Sequence, residues 1–347
     1  MTIQMGSDNI AGASPEILEA VRASSTGTAA PYGTDDFTAR AAKQVKEVFE
    51  APDAEVLFCI SGTAANSIIL SAMSPPWGAI YCHPEAHIHM DECGAPEFFS
   101  SGAKLVLLPD HDGLLTASDV KTLTRPGSHD VHNVQPAAIS ITQCTERGLV
   151  YSLEQTKALA MAAKENGLWV HMDGARFANA CAALNASPAD LSWKLGVDAL
   201  SFGATKNGAL AAEAIVAFDP GLAGTLAYRR KRSGHLVSKM RFISAQMEAY
   251  LHDDLWMRNA RHANETARIL ADGLGSVPGC EVAYPCQANE VFVYLPKKLA
   301  NDLRAEEFGF SVWRDEGVRE LARFVCAFNT PIKDVQAIVN AANRLAT

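Results

Sequence analysis

Two charged residues stand where buried runs of sequence stop. Phe202-Gly203-Ala204-Thr205-Lys206-Asn207-Gly208 ends an apolar run in a lysine set between two glycines. Leu168-Trp169-Val170-His171-Met172-Asp173-Gly174-Ala175-Arg176 ends another in an acid followed by an arginine. A lysine so close to a buried strand end is partly desolvated, which favours its neutral, nucleophilic form and suits it to condense with an aldehyde. Taken singly, neither motif is decisive, because Asp-Gly is ordinary turn chemistry and a loop lysine can snorkel to water.

A third stretch, Ile60-Ser61-Gly62-Thr63-Ala64-Ala65-Asn66, reads as a strand end, small residues and a helix start. Backbone N–H groups and the helix dipole at such a turn attract a phosphate. A lysine for an aldehyde, an acid for a ring nitrogen and a phosphate cradle are together what pyridoxal 5'-phosphate requires. The fourth element is Glu85-Ala86-His87-Ile88-His89-Met90-Asp91-Glu92-Cys93-Gly94. His87 is suited to stack on the ring or to move a proton near neutral pH, and Asp91 shares its face if the segment is helical. A metal reading would use His83 with His87, aided by Cys82 or Cys93. No second ligand pair with zinc spacing appears, so no metal is expected.

These residues need a scaffold that gathers strand ends. Short apolar runs occur at Glu55 to Ile60, Ala79 to Cys82, Lys104 to Leu108, Ala137 to Thr142, Leu168 to Met172, Asp198 to Phe202 and Glu213 to Phe218. They are rich in Val, Ile and Leu without strict alternation, as strands of a mostly parallel sheet covered on both faces should be. Helical patterns lie between them, and Ser152-Leu153-Glu154-Gln155 has capping-box spacing. Ligands of such α/β sheets collect beyond the carboxyl ends of the strands, where both Asp173 and Lys206 fall. An N-terminal arm with two short helices is expected over 1–50 and a large cofactor-binding domain over 51–252. From about Asp253 a long helix leads to strands at Cys280 to Tyr284 and Glu290 to Leu295, a helix, strands near Ser311 and Phe324, and a closing helix from Ile332. This predicts a small α/β domain over 253–347.

The 347 residues are 48% hydrophobic and 20% charged, which predicts a folded enzyme-sized body. A formal charge of -9 argues against nucleic acid as a partner. The basic segment Arg229, Arg230, Lys231, Arg232, Lys239 and Arg241 is read as a local anion site. Eight cysteines without a C-x-x-C pair suit free thiols in a reducing compartment. No signal peptide and no apolar run of the ~18 residues needed to span a bilayer is visible, so a cytoplasmic protein without membrane contact is expected.

The sequence resembles the L-threonine aldolases, within the β-eliminating-lyase group of fold-type I pyridoxal phosphate enzymes, and looks closest to their low-specificity bacterial branch. The specific motifs are His-Met-Asp-Gly-Ala-Arg-Phe (171–177) and Phe-Gly-Ala-Thr-Lys-Asn-Gly (202–208). The likeness runs from Gly6-Ser7-Asp8-Asn9 through Tyr32-Gly33, Asn66 and Ala86-His87 to Ala322-Arg323-Phe324. It implies a fold-type I, transferase-like α/β fold, with a large mostly parallel sheet domain and a small C-terminal α/β domain. It also implies that Lys206 holds the cofactor's aldehyde, Asp173 its pyridine nitrogen, and Gly62 and Thr63 its phosphate, with His87 stacked on the ring. Ser7, Arg176 and Arg323 match positions that bind the substrate carboxylate, and Lys231 and Arg241 match positions reaching in from a neighbouring subunit. A homodimer or homotetramer with shared sites is therefore expected.

The activity implied is cleavage of L-threonine, L-allo-threonine or a related β-hydroxy-α-amino acid to glycine and an aldehyde. Phenylserine cleavage and β-elimination are the alternatives, and a non-catalytic cofactor binder is disfavoured by the two carboxylate-binding arginines. His87, acting through water, is the expected proton carrier. One departure stands out: many threonine aldolases carry a second histidine after the strand that here ends Ile141-Thr142-Gln143-Cys144-Thr145-Glu146. Thr145 or Glu146 occupies that point, and neither His129 nor His132 upstream is assigned to the role.

Overall fold

The computed structural model describes residues 3–123 and 130–346, so His129 lies outside the described residues. The chain opens with β1 (Ile3–Gln4), α1 (Pro15–Ser24) and α2 (Asp36–Val48). Pro15 begins α1, where its missing N–H leaves no bond unmade. The Asp35 carboxylate caps α2 by accepting from the Thr38 N–H at 2.9 Å.

The expected central strands follow as β2 (Glu55–Cys59), β3 (Gly78–Cys82), β4 (Lys104–Leu107), β5 (Gln135–Thr142), β6 (Trp169–Gly174), β7 (Ala199–Gly203) and β8 (Glu213–Ala217). Between them lie α3 (Gly62–Met73), α4 (His87–Met90), α5 (Ala95–Phe99), α6 (Ala117–Lys121), α7 (Leu153–Glu165) and α8 (Phe177–Leu184). The capping box of α7 forms: the Gln155 N–H donates to Ser152 Oγ at 3.2 Å and the Ser152 N–H to Gln155 Oε1 at 2.8 Å. The strand order is β2-β8-β7-β6-β5-β3-β4. All neighbours are parallel except β8, which runs antiparallel to β2 and to β7.

Alternate residues of each strand enter different cores, as a period of two requires. Phe58, Tyr81, Ile139, Met172 and Phe202 join a core with α2, α7, α8 and the later α10 (Arg241–Leu251), which follows α9 (Pro220–Arg232). Leu57, Cys59, Ile80, Cys82, Ala138 and Ile215 pack on the other face against α3. The sheet is thus covered on both sides, which is why its strands read as apolar runs.

The third core belongs to the C-terminal unit. There α11 (Leu255–Gly275) precedes β9 (Glu281–Val282), β10 (Glu290–Pro296), α12 (Lys297–Ala305), β11 (Phe308–Gly309), β12 (Ser311–Asp315), β13 (Arg319–Val325) and α13 (Ile332–Leu345). Its antiparallel sheet has the order β12-β13-β10-β9. The run expected over Cys280 to Tyr284 yields only the two residues of β9, an edge strand that stops before Pro285. Residues 3–5 also belong here. β1 pairs parallel with β11, the Val325 N–H donates to Met5 O at 2.7 Å, and Met5 is buried in this core. Among the described residues no helix is long and apolar enough to cross a membrane, and no group of three His, Cys, Asp or Glu could hold a metal.

Candidate active site

Register carries the chemistry to one edge of the large sheet. Thr142 pairs with Asp173 and Asp173 with Ser201, while Glu213 pairs with both Gly203 and Cys59. Because β8 is antiparallel, its first residue lies beside the last residues of its parallel neighbours. Close approach at this edge needs glycine. A Cβ at Gly174 would fall 2.7 Å from Ser201 O, and one at Gly203 would fall 2.6 Å from Ala175 O.

A cavity of about 240 Å³ opens at this edge. Of the residues singled out in the sequence, Gly62, Thr63, His87, Asp173, Arg176 and Lys206 line it; Ser7, Arg323, Lys231 and Arg241 do not. Asn9, Asn66, Glu92, Glu146 and Glu213 complete its polar wall.

Lys206 sits in a single 3-10 turn, Thr205–Asn207, directly after β7. Asn207 anchors the turn by donating from Nδ2 to Tyr250 Oη and to Trp256 O, both at 2.8 Å. Gly208 closes it at φ +117, where a Cβ would meet Ser14 Oγ at 2.4 Å. Among the described residues the Lys206 ammonium has no hydrogen bond or ion pair, so a rigid turn presents an uncommitted amine to the cavity.

Asp173 is 3% exposed. Its Oδ2 accepts from Asn66 Nδ2 at 2.8 Å and its Oδ1 from the Ala175 N–H at 3.0 Å, which fixes the orientation of the carboxyl group. The other Asn66 N–H donates to Glu92 Oε1 at 2.8 Å, and Glu92 Oε1 also meets His87 Nδ1 at 2.8 Å. A chain Asp173–Asn66–Glu92–His87 therefore runs along the cavity floor. The hydrogen bond to Glu92 is the main cause that raises the His87 ring above its ordinary range. Asp91, the expected helical partner, is exposed, so the acid that holds His87 is Glu92. His83 is spent on Asp110 at 3.0 Å.

At the start of α3, Ser61 Oγ accepts from the Ala64 N–H at 3.3 Å. The N–H groups of Gly62 and Thr63 have no acceptor among the described residues, as is usual for a first turn, and stand at the positive end of a 12-residue helix. Two further acids lie in the wall. Burial, and after it the charge of Asp173, push the Glu146 carboxyl up to about 7; burial pushes Glu213 up to about 7 as well, partly offset by Thr205 and Lys206.

Arg176 makes a two-pronged ion pair with buried Asp8, Nε to Oδ2 at 2.7 Å and Nη2 to Oδ1 at 3.0 Å. Its Nη1 is 3.4 Å from Glu290 Oε2, and Arg323 Nη1 is 3.9 Å from Glu290 Oε1. The Arg176 fork, expected to face a substrate carboxylate, is thus already engaged by two acids. Burial raises the Glu290 carboxyl, whereas Arg176 holds Asp8 below its ordinary value against the desolvation that burial imposes. Arg323 also donates to Gly6 O at 3.3 Å, and Ser7 Oγ accepts from the Asn9 N–H at 3.1 Å. Arg323 thus adjoins the segment 6–9, which contains Ser7 and brings Asn9 to the cavity.

Lys231 is exposed and lies over the Tyr32 ring at 4.8 Å, and Arg241 Nη1 donates to Gly27 O at 3.3 Å. Both are outside the cavity of their own chain. Thr145 Oγ1 accepts from the Leu149 N–H at 3.2 Å and His132 is exposed; Glu146 lines the cavity, with Thr142 and Cys144 beside it. Asp8 and Glu92 lie inside motif stretches and Glu213 opens a strand run, but the sequence assigns none of them, nor Glu290, a role in the site.

The model of a family described as Beta-eliminating lyase matches residues 4–298. A low specificity L-threonine aldolase of Pseudomonas aeruginosa is 44% identical over 337 residues, 97% of this chain and 96% of its own. Another, from Pseudomonas sp., is 41% identical over 345 residues, 97% of this chain and 98% of its own. The solved threonine aldolase of Leishmania major is similar with a TM-score of 0.93 at 28% identity, covering 99% of this chain and 100% of that one.

Proposed function

The chain belongs to the β-eliminating lyase family, and from that membership and the cavity we propose a pyridoxal 5'-phosphate-dependent aldolase. It cleaves L-threonine, L-allo-threonine or a related β-hydroxy-α-amino acid to glycine and an aldehyde. The observation that carries this reading is the donor set of one cavity: an amine without a partner among the described residues, a carboxyl group that accepts from two N–H donors, and two open amides at a helix start.

That donor set fits the cofactor. Lys206 would hold its aldehyde carbon, Asp173 its ring nitrogen, the Gly62 and Thr63 amides its phosphate, and His87 would lie against the ring. When bound, the cofactor supplies an electron sink for the pair left at Cα when the Cα–Cβ bond breaks. The remaining work falls to the chain. Asn66 and the Ala175 N–H hold Asp173 in place, and Glu92 holds the His87 ring through Nδ1. Arg176 and Arg323, with Ser7 beside them, would orient the substrate carboxylate so that the bond to be broken stands perpendicular to the ring. Because the Arg176 fork is engaged by Asp8, its Nη1 edge is the part left to share with substrate.

Lys231 and Arg241 lie outside their own cavity, and we assign them to the cavity of a neighbouring subunit in a homodimer or homotetramer. The large cofactor-binding domain over 51–252, the small domain over 253–347 and a cytoplasmic location belong to the same reading. Borohydride reduction of the holoenzyme followed by peptide mapping tests its core, with the cofactor expected on Lys206 and attachment elsewhere overturning it. Product analysis on threonine, allo-threonine and phenylserine tests the reaction. Glycine with the matching aldehyde is expected, whereas a keto acid with ammonia would mark an eliminating lyase.

A further inference from the structure

Cleavage requires an acceptor for the proton of the substrate's β-hydroxyl, and besides Lys206, assigned to the cofactor's aldehyde, the wall of the cavity holds six groups that could take one. Five are unsuited to it. Asp173 is committed to the ring nitrogen. Glu92 Oε1 already accepts from Asn66 and faces His87 Nδ1. His87 is assigned to lie against the ring and is held there through Nδ1 by Glu92 Oε1 at 2.8 Å. Burial pushes the Cys144 thiol up to about 12, and it points to Arg176 O at 3.6 Å. Glu213 lies beside Cys59 and Gly203 in the strand register, and its carboxyl is engaged by Thr205 and by the charge of Lys206.

Glu146 remains, and a rigid turn aims it. The Thr145 N–H donates to Leu149 O and the Gly148 N–H to Thr145 O, both at 2.9 Å. Next to it, Arg147 is clamped by Glu85 at 2.7 and 2.9 Å and by Asp110 at 2.7 Å. One Glu146 oxygen accepts from the His87 backbone N–H at 2.8 Å. This ties the acid to the residue assigned to flank the ring. We propose that Glu146 is a catalytic residue that accepts the β-hydroxyl proton, an inference that rests on the aldolase reading above.

In the step, the substrate O–H bond breaks and its proton passes to a Glu146 carboxylate oxygen. The O–H pair becomes the new carbonyl π bond, the Cα–Cβ bond breaks, and its pair stays on the glycine fragment until Cα takes up a proton from water. Glu146 returns its proton to solvent after the aldehyde leaves. A carboxyl held at about 7 is matched to proton transfer near neutral pH. The titratable groups facing it are Asp173, His87, Tyr151 and Cys82.

Glu146→Gln keeps an oxygen for the His87 N–H and removes the base. In the holoenzyme, kcat for threonine cleavage should fall between about 10²- and 10⁴-fold. Exchange of the glycine α-proton into D2O involves no β-hydroxyl and should stay within about threefold of wild type. Infrared difference titration of the apoenzymes supplies a readout independent of turnover: wild type should show two carboxyls titrating near 7, Glu146 and Glu213, and E146Q only the one from Glu213. Cleavage unchanged in E146Q overturns the proposal. Cleavage and glycine exchange falling together also overturn it, because Glu146 would then act only by positioning His87. A wild-type enzyme that exchanges glycine but cleaves none of the three β-hydroxy amino acids overturns the aldolase reading itself.

Discussion

Asn66 is the keystone of the cavity floor, and its removal has a calculable cost. The side chain is 1% exposed, donates to Asp173 Oδ2 and Glu92 Oε1 at 2.8 Å each, and accepts from Ser201 Oγ at 2.6 Å. Asn66→Ala deletes two hydrogen bonds to buried carboxylates, each worth about 1.5–3 kcal/mol, so the folded state should lose about 3–6 kcal/mol. An unfolding entropy of ~2.1 cal/mol/K per residue over 347 residues gives about 0.73 kcal/mol/K. The midpoint of apoenzyme unfolding should therefore drop by about 4–8 °C in scanning calorimetry. Asn66→Asp keeps the volume but sets a third acid against the other two, raising the pKa of the introduced carboxyl in the fold. Its penalty is absent below the unfolded value of about 3.9 and grows as pH rises, so N66D should be markedly worse at pH 8 than at pH 5. A drop under about 2 °C for N66A, or a pH-independent deficit for N66D, would refute the reasoning.

Three further outcomes are expected. Asp173→Asn should weaken cofactor binding at least tenfold in a titration of apoenzyme, and an unchanged affinity would count against its role toward the ring nitrogen. Asp8 has a lowered pKa in the fold, so its stabilising contribution is present above about 3.8 and fades as pH falls through the folded value. The stability gap between wild type and D8N, measured in denaturant, should hold from pH 5 to 8 and close below pH 4. Glu213 is raised from 4.5 to about 7, which penalises the fold by about 3 kcal/mol once pH exceeds the folded value. Glu213→Gln should consequently be more stable than wild type as apoenzyme at pH 8 and lose that advantage near pH 5.

The legible parts of the molecule are those that local sequence determines. Strands covered on both faces leave unbroken apolar runs, so the seven central strands could be read in order, and with them the strand ends that carry Asp173 and Lys206. The capping box at Ser152 and Gln155 is likewise a contact between residues three apart. The antiparallel sense of β8 was not legible, since an isolated apolar run of five residues does not reveal its direction. Nor was the pairing of β1 with β11, which joins Ile3 to Phe308 across nearly the whole chain.

The same division explains which functional residues stayed hidden. Asp173, Lys206, His87 and the Gly62-Thr63 turn announce themselves because each interrupts an apolar element. Glu92, Asp8 and Glu290 are single acids whose meaning arises only from what they meet in space: Glu92 the ring of His87, Asp8 and Glu290 the fork of Arg176. These acids alter how the visible residues act. The hydrogen bond to Glu92 raises the His87 ring above its ordinary range and fixes it through Nδ1. Arg176, at the end of β6, is bound to Asp8 in the N-terminal segment and faces Glu290 at the start of β10. A guanidinium shared between the large sheet and the C-terminal unit has less freedom than a surface arginine, and any carboxylate it takes must join acids already in place. Under the role proposed for Arg176, recognition of the substrate carboxylate would fall on the side chain that also joins β6 to the C-terminal unit. Its effect on binding must therefore be measured with Asp8 intact.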